Sequence, residues 1–353
     1  MSIRVLLTVS GTVAADLPDS IAAGERPRAD YFELARAMGA DIIDYGEARR
    51  TASRFGQILE RMAGANVLLA WMCYRRRDRF DVILTDGEQV GMPYAALTWL
   101  ARRSAIPRHV MIVHIISVRK KALLFRALHL KRRIDTMLVY ASWQRDFARA
   151  TLGAVDVVRI PFMVDTHFFD LAQITPVRRR MICAAGLELR DYDTLIEAVR
   201  SIDVEVVIAA ASPWSRRPNT LEAAPLPENV KLCKLSLFEL RQLYADAAFV
   251  IMPLHDVDFQ AGVTTILEAM SMSRAVVCSR TRGQTDVIVD GETGIYVEPA
   301  NAAALRAAIT GLLDDAARAE QLGAAARQWV VANADIERYA AAIADVVNGV
   351  ARE

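Results

Sequence analysis

The chain has 353 residues, 53% of them hydrophobic and 24% charged, enough for two separate cores. A formal net charge of +1 and four scattered cysteines, with no C-x-x-C pair, argue against a zinc knuckle, a redox dithiol or a uniformly basic nucleic-acid binder. No apolar run approaches the roughly 18 residues that span a bilayer, and Met1 to Gly11 reads as a first strand rather than a leader.

The small net charge hides an asymmetry. Residues 1–150 carry 24 Lys and Arg against 15 Asp and Glu, a net of +9, whereas residues 151–353 carry 19 against 27, a net of −8. Two halves of opposite sign imply two domains with different partners, and the basic half suits an anionic acceptor or membrane surface.

Along the chain, strand and helix patterns alternate. Arg4 to Ser10 predicts a strand, Ala29 to Met38 a helix, Asp41 to Tyr45 a strand and Gln57 to Met62 a helix. Phe80 to Thr85 is a buried strand followed by Asp86-Gly87-Glu88. A helix over Met92 to Arg103 and a strand over His109 to Ile116 come next. Val118 to Arg133 is basic and amphipathic. The reading preferred from sequence is a helix with one face on the core and one in water, with docking on anionic lipid as the other reading. Thr136 to Tyr140 and Val157 to Pro161 are strands flanking a Ser142 to Thr151 helix.

A second series follows a linker over Asp170 to Arg180. Its strands are Arg180 to Ala185, Val204 to Ala211, Val230 to Leu232, Ala248 to Met252, Arg274 to Ser279 and Gly294 to Val297. Its helices are Asp191 to Arg200, Ser236 to Ala245 behind a Ser236/Glu239 capping box, and Ala302 to Leu313. Ala316 to Val350 reads as one long Ala-rich helical stretch. Such alternation predicts parallel sheets covered on both faces.

The most informative segment is Phe259 to Met270. It follows a buried strand, places Gly262 at a turn and offers Thr264 and Thr265 as N-caps of an apolar helix. Strand, glycine turn and helix start make an anion site from free N–H groups of Gly262, Val263, Thr264 and Thr265. Glu268, one turn in, would accept hydroxyls beside that anion, as a nucleotide sugar requires. The plain alternative is an ordinary strand-to-helix turn.

In order, Ala185-Gly186-Leu187-Glu188-Leu189-Arg190-Asp191-Tyr192, Leu243-Tyr244-Ala245-Asp246-Ala247, Gln260 to Met270, Gly283-Gln284-Thr285-Asp286 and Gly291-Glu292-Thr293-Gly294 resemble the C-terminal domain of glycosyltransferase family 4. The resemblance spans about residues 157 to 335. It implies an α/β protein of GT-B type, two Rossmann-like domains with parallel sheets facing a central cleft. The implied division is an acceptor-binding domain over 1–168, a nucleotide-sugar-binding domain over 176–335 and a C-terminal helix over 336–353 packing back on the first domain. It also implies a retaining, metal-independent, cofactor-free transferase acting from a UDP- or GDP-sugar on an unidentified lipid, glycan or small-molecule acceptor. That enzyme would be cytoplasmic or peripheral to the inner membrane face, without nucleic acid.

Residue by residue, the resemblance gives Arg190 the place of a diphosphate-binding cation, Gly186 a place beside it, and Glu268 the ribose. Gly11 falls in the loop after the first strand. His114, at the carboxyl end of a strand where ligands bind in such sheets, falls near the transferred sugar, with a buried core histidine as the alternative. Glu88 stands between an acceptor-cleft residue and an exposed turn. Two departures are plain. The first glutamate of the family's Glu-x7-Glu is Gln260, which keeps hydrogen-bonding capacity but no charge, and the usual Gly-Arg is Gly186-Leu187. An epimerase of the same fold and a catalytically weak nucleotide-sugar binder are the rival readings.

Overall fold

The computed structural model describes residues 3–154, 156–177, 180–210 and 226–352. They form two compact units. The first comprises the described residues of Met1–Asp19, Arg28–Ile160 and Glu337–Glu353, and the second those of Ser20–Pro27 and Pro161–Ile336.

The first unit is built on β1 (Val5–Thr8), β2 (Asp41–Ile43), β3 (Val82–Thr85), β4 (Arg108–Val113), β5 (Thr136–Val139) and β6 (Val157–Arg159), paired in the order β2-β1-β3-β4-β5-β6, all parallel. β1, β3 and β5 are short apolar runs with every residue buried, as expected where helices cover both faces of a parallel sheet. Leu6, Ile83, Leu68 and Tyr94 pack in one layer of the core, and Met111, Val113, Phe125 and Val139 in another. The C-terminal helix Ile336–Arg352 completes this unit: Arg28 pairs with Glu337 at 2.7 Å, and the hydroxyls of Tyr140 and Tyr339 meet at 3.0 Å.

The second unit holds β7 (Met181–Ala185), β8 (Glu205–Ala209), β9 (Val230–Cys233), β10 (Val250–Met252), β11 (Val276–Ser279) and β12 (Gly294–Val297), in the order β12-β11-β10-β7-β8-β9 and again all parallel. Each sheet reverses its order once, between β1 and β3 in the first and between β7 and β10 in the second. Loops leaving the carboxyl ends of those strand pairs diverge and leave a crevice, the usual ligand position in open α/β sheets.

Four details differ from the sequence reading. A helix expected from Met92 begins at Glu88, because Gly87 at φ 96° turns the chain directly out of β3, and Pro93 sits inside the helix Glu88–Leu97. The apolar run Asn66 to Tyr74 is the core of a helix, Ala65–Arg76, too uniformly apolar to show its period. A short helix, Tyr45–Thr51, follows β2, with Asp44 accepting from the Glu47 N–H as its cap. The long C-terminal stretch is two helices, Ala316–Asn333 and Ile336–Arg352. Backbone bonds from Val164 N–H to the Ala334 carbonyl and from Ile336 N–H to the Val164 carbonyl, both within the second unit, break it at Asp335.

Candidate active site

In the second unit the predicted donor residues converge at the crevice between β7 and β10. Gly186 (φ 92°) leaves β7, and Gly262 (φ 75°) precedes the helix Val263–Ser271 after β10. Arg190 lies between these two glycines. A Cβ built on Gly186 would stand 2.5 Å from one guanidinium nitrogen, and one on Gly262 3.2 Å from the other and 2.7 Å from the Met252 sulfur. Both positions therefore need glycine twice over, for the positive φ and for the space. The guanidinium is aimed by its Nε and Nη1, which donate to the carbonyls of Ala185 at 3.0 Å and Glu188 at 2.7 Å. An isolated bridge to Leu254 fixes the Arg190 backbone.

The helix itself starts differently from expectation. Thr264 and Thr265 lie inside it, Gly262 is the residue before its first turn, and no side chain caps that turn. The first N–H groups of such a helix have no intrahelical partner, so a bare positive end opens beside the Arg190 cation. Two like-signed groups held together, with no carboxylate in salt-bridge contact with Arg190 among the described residues, are the arrangement that an oxyanion relieves.

Glu268 is buried on the same helix, with the Tyr244 hydroxyl donating to its Oε2 at 2.9 Å. Burial pushes its carboxyl up to about 7, against the downward pull of the Tyr244 hydroxyl and the Arg190 charge. Gln260 precedes the glycine turn, and its Oε1 is buried with no partner among the described residues. Gly283, in the loop after β11, packs on the backbone of Phe259 so closely that a Cβ would stand 2.3 Å from it. That loop thereby holds the Phe259–Gly262 turn in place. Tyr244 was not singled out from sequence. Its signal was its place in the matching segment Leu243 to Ala247, within the helix Leu237–Asp246, which gave it no individual role.

In the first unit, residues at the carboxyl ends of β1, β3 and β4 cluster. His114 lies one residue beyond β4, and its Nε2 is 3.2 Å from the Asp86 Oδ1. Burial alone would push the imidazole down, but the Asp86 hydrogen bond and the charges of Asp86, Glu88 and Asp30 outweigh it and raise it. The Asp30 carboxyl is itself pushed up by burial and by Asp86. The Gln144 amide donates to the His114 carbonyl at 2.6 Å. Gly11 follows β1, and the space where its Cβ would stand is open. The neighbouring Ser10 hydroxyl donates to the Asp86 carbonyl, so the loops after β1 and β3 meet at the reversal point of the first sheet.

Glu88 is neither an exposed turn nor a free carboxylate. It is buried, accepts from the N–H of His114 at 2.9 Å, and pairs with the Lys121 ammonium. Its geometry makes it a support for the His114 loop. Asp86 and Asp30, not chosen from sequence, are the carboxylates facing the imidazole. Asp86 carried the same signal as His114, a polar residue just past a buried strand, whereas Asp30 comes from a distant helix start and carried none.

Two Rossmann-like units with parallel six-stranded sheets give the chain the GT-B fold. Residues 178–315 match the family model described as glycosyl transferases group 1, and the protein is a glycosyltransferase. It is 27% identical to the GDP-mannose-dependent alpha-(1-6)-phosphatidylinositol monomannoside mannosyltransferase of Mycolicibacterium smegmatis, over 73% of this chain and 74% of that one. Among solved structures it resembles sucrose-phosphate synthase from Thermosynechococcus elongatus, with a TM-score of 0.74 at 17% identity over 99% of both chains. It also resembles Anabaena HepE in complex with UDP-glucose, with a TM-score of 0.69 at 14% identity over 98% of this chain and 100% of that one.

Proposed function

We propose that the enzyme is a retaining, metal-independent member of glycosyltransferase family 4. In this reading it transfers a hexose from a nucleotide-diphosphate sugar bound by the second unit to an acceptor bound by the first. The observation that carries this is the Arg190 guanidinium held between Gly186 and Gly262 at an uncapped helix start, with buried Glu268 one turn in. Arg190 and the N–H groups of Gly262, Val263, Thr264 and Thr265 receive the diphosphate, and Glu268 accepts the ribose hydroxyls. As the glycosidic bond breaks, negative charge grows on the leaving diphosphate. Fixed positive groups stabilise that charge without reorganising, and the protein supplies the neutralisation that a metal supplies elsewhere. Gln260, with its unsatisfied oxygen, contacts a sugar hydroxyl, and His114, oriented by Asp86, contacts the sugar or the incoming acceptor hydroxyl.

The mannosyltransferase relative makes GDP-mannose the first donor to test and a lipid-linked sugar the first acceptor. The enzyme then works at the cytoplasmic face of a membrane, touching anionic lipid through its basic first unit. Thermal shifts with GDP, UDP and ADP identify the base. Transfer of labelled sugar in the presence of a chelator, with the product anomer read by NMR, tests the reaction. Tight donor binding with no transfer to any acceptor would favour a binding protein, and isomerised donor without acceptor would favour an epimerase.

A further inference from the structure

The helix Arg119–Ala127 buries Ala122 and Phe125 in the core of the first unit. Its opposite face should be polar if it met only water. Instead Leu123 is 71% exposed and Leu124 49%, and Val118 and Leu128 are exposed at its two ends. The apolar patch continues sideways. The Trp99 indole donates to the Leu128 carbonyl at 3.1 Å, and Trp99 and Leu100 are themselves exposed. Single exposed leucines are ordinary, but a contiguous group of this size marks an interaction surface.

Charge identifies the partner. Residues 118–133 contain seven Lys and Arg and no Asp or Glu. Lys121 is engaged by Glu88, and Arg133 lies 4.1 Å over the Trp99 ring, but Arg119, Lys120, Arg126, Lys131 and Arg132 are exposed around the leucines. A groove of about 640 Å³ runs against the same helix, lined by Leu123, Arg126, His129 and Lys131 on one side and Thr151 and Gly153 on the other, with no carboxylate in its wall. Leucines that water disfavours, an indole beside them and a ring of cations match the interface of a bilayer containing anionic phospholipid.

We propose that the helix Arg119–Ala127, with Trp99, Leu100 and the adjoining groove, docks the enzyme on anionic phospholipid, the groove receiving a lipid phosphate headgroup. This rests on the peripheral-membrane reading above and gives that contact a place. It also couples docking to the candidate acceptor residues. Lys121, on the docking helix, pairs with Glu88, and Glu88 holds the His114 N–H. An acceptor carried in the bilayer would then reach His114 within one loop of the membrane surface.

The test is flotation of the full chain with phosphatidylcholine vesicles, with and without phosphatidylglycerol. The protein should float only with phosphatidylglycerol and be released by salt. Leu123→Glu with Leu124→Glu, and separately Arg126→Glu with Lys131→Glu, should each lower the partition by roughly tenfold or more. Both variants should keep the wild-type melting temperature and nucleotide-induced thermal shift. Phe55→Glu with Ile58→Glu, on a second exposed apolar stripe, is the contrast. Its helix, Arg54–Ala63, also carries exposed Arg54 and Arg61, but Glu60 and Glu47, paired with Arg49 and Arg50, put negative charge beside them, so flotation should hold.

Undiminished flotation of the first two variants overturns the proposal, as does equal binding to phosphatidylcholine alone. A thermal shift from free glycerophosphate equal to that from vesicles would make the groove a soluble-phosphate site and overturn it too. So would a wild-type dimer that the leucine variant dissociates. Loss of nucleotide binding in the wild type would sink the donor reading and leave flotation as an independent result.

Discussion

Glu268→Gln offers a test in which stability and function move in opposite directions. The wild-type carboxyl is pushed from an ordinary 4.5 up to about 7 by burial. A folded state that raises an acid's pKa binds its proton more tightly than the unfolded chain does. Its stability contribution is therefore complete below pH 4.5 and lost as pH rises through 7. At about 1.4 kcal/mol per pH unit, that shift is a penalty on the order of 3 kcal/mol above pH 8. Glutamine keeps an oxygen for the Tyr244 hydroxyl and carries no charge to bury. The ligand-free variant should therefore exceed wild type by about 1–3 kcal/mol at pH 8, a rise of roughly 3–10 °C in melting temperature, and match it near pH 4.5. Donor affinity should meanwhile fall roughly tenfold to a hundredfold, because hydrogen bonds from the ribose to a charged acceptor are lost. Scanning calorimetry from pH 4.5 to 8.5, with and without nucleotide, reads both effects. A variant no more stable than wild type at pH 8 refutes the buried-carboxylate argument. Unchanged nucleotide affinity refutes the ribose role.

Gly262→Ala places a methyl 2.7 Å from the Met252 sulfur at a left-handed φ of 75°. It should cost about 1–3 kcal/mol in urea unfolding and lower donor kcat/KM at least tenfold. Arg190→Lys keeps the charge but not the fork that grips two carbonyls at the proposed diphosphate site. It should lower kcat by roughly ten- to a hundredfold in a steady-state assay with little change in melting temperature. Asp86→Asn removes the charge, and with it the charge-assisted strength of the hydrogen bond, that hold the His114 imidazole up. Its titration, followed by NMR, should move to lower pH, and the pH profile of transfer should move the same way. Glu88→Gln leaves Lys121 without its counter-charge, and at about 1–3 kcal/mol of lost stability it should lower the melting temperature measured by circular dichroism.

The frame of this enzyme was legible because parallel sheets write themselves as separate apolar runs. Val82–Thr85 and Met181–Ala185 admit few readings other than buried strands. The glycine turn and bare helix start proposed as the anion site were legible because they are contiguous in sequence. The carboxylate that faces His114 was not. Asp86 and Asp30 lie 56 residues apart and meet only when the loop after β3 comes beside the helix Asp30–Met38, which no local pattern encodes. Glu88 misled for a related reason. Next to Gly87 it looks like a turn residue, and only the tertiary partners His114 and Lys121 make a buried carboxylate tolerable. The break at Asp335 was hidden because Ala-rich sequence favours helix on both sides, and the interruption comes from Val164, far back in the chain. The exposed leucines of Arg119–Ala127 were visible as residues, but which of them the core would claim was not.

That the helix Ile336–Arg352 belongs to the first unit has a consequence for biosynthesis. Tyr339, Ile343 and Val347 are buried side chains that the ribosome delivers only after the whole second unit, while the sheet they complete is delivered before it. The first unit must therefore wait, with an uncovered apolar flank, until the second unit has been made and this helix emerges. A nascent chain stalled before Ile336 should bind holdase chaperones and yield to protease there, and emergence of the helix Ile336–Arg352 should end both.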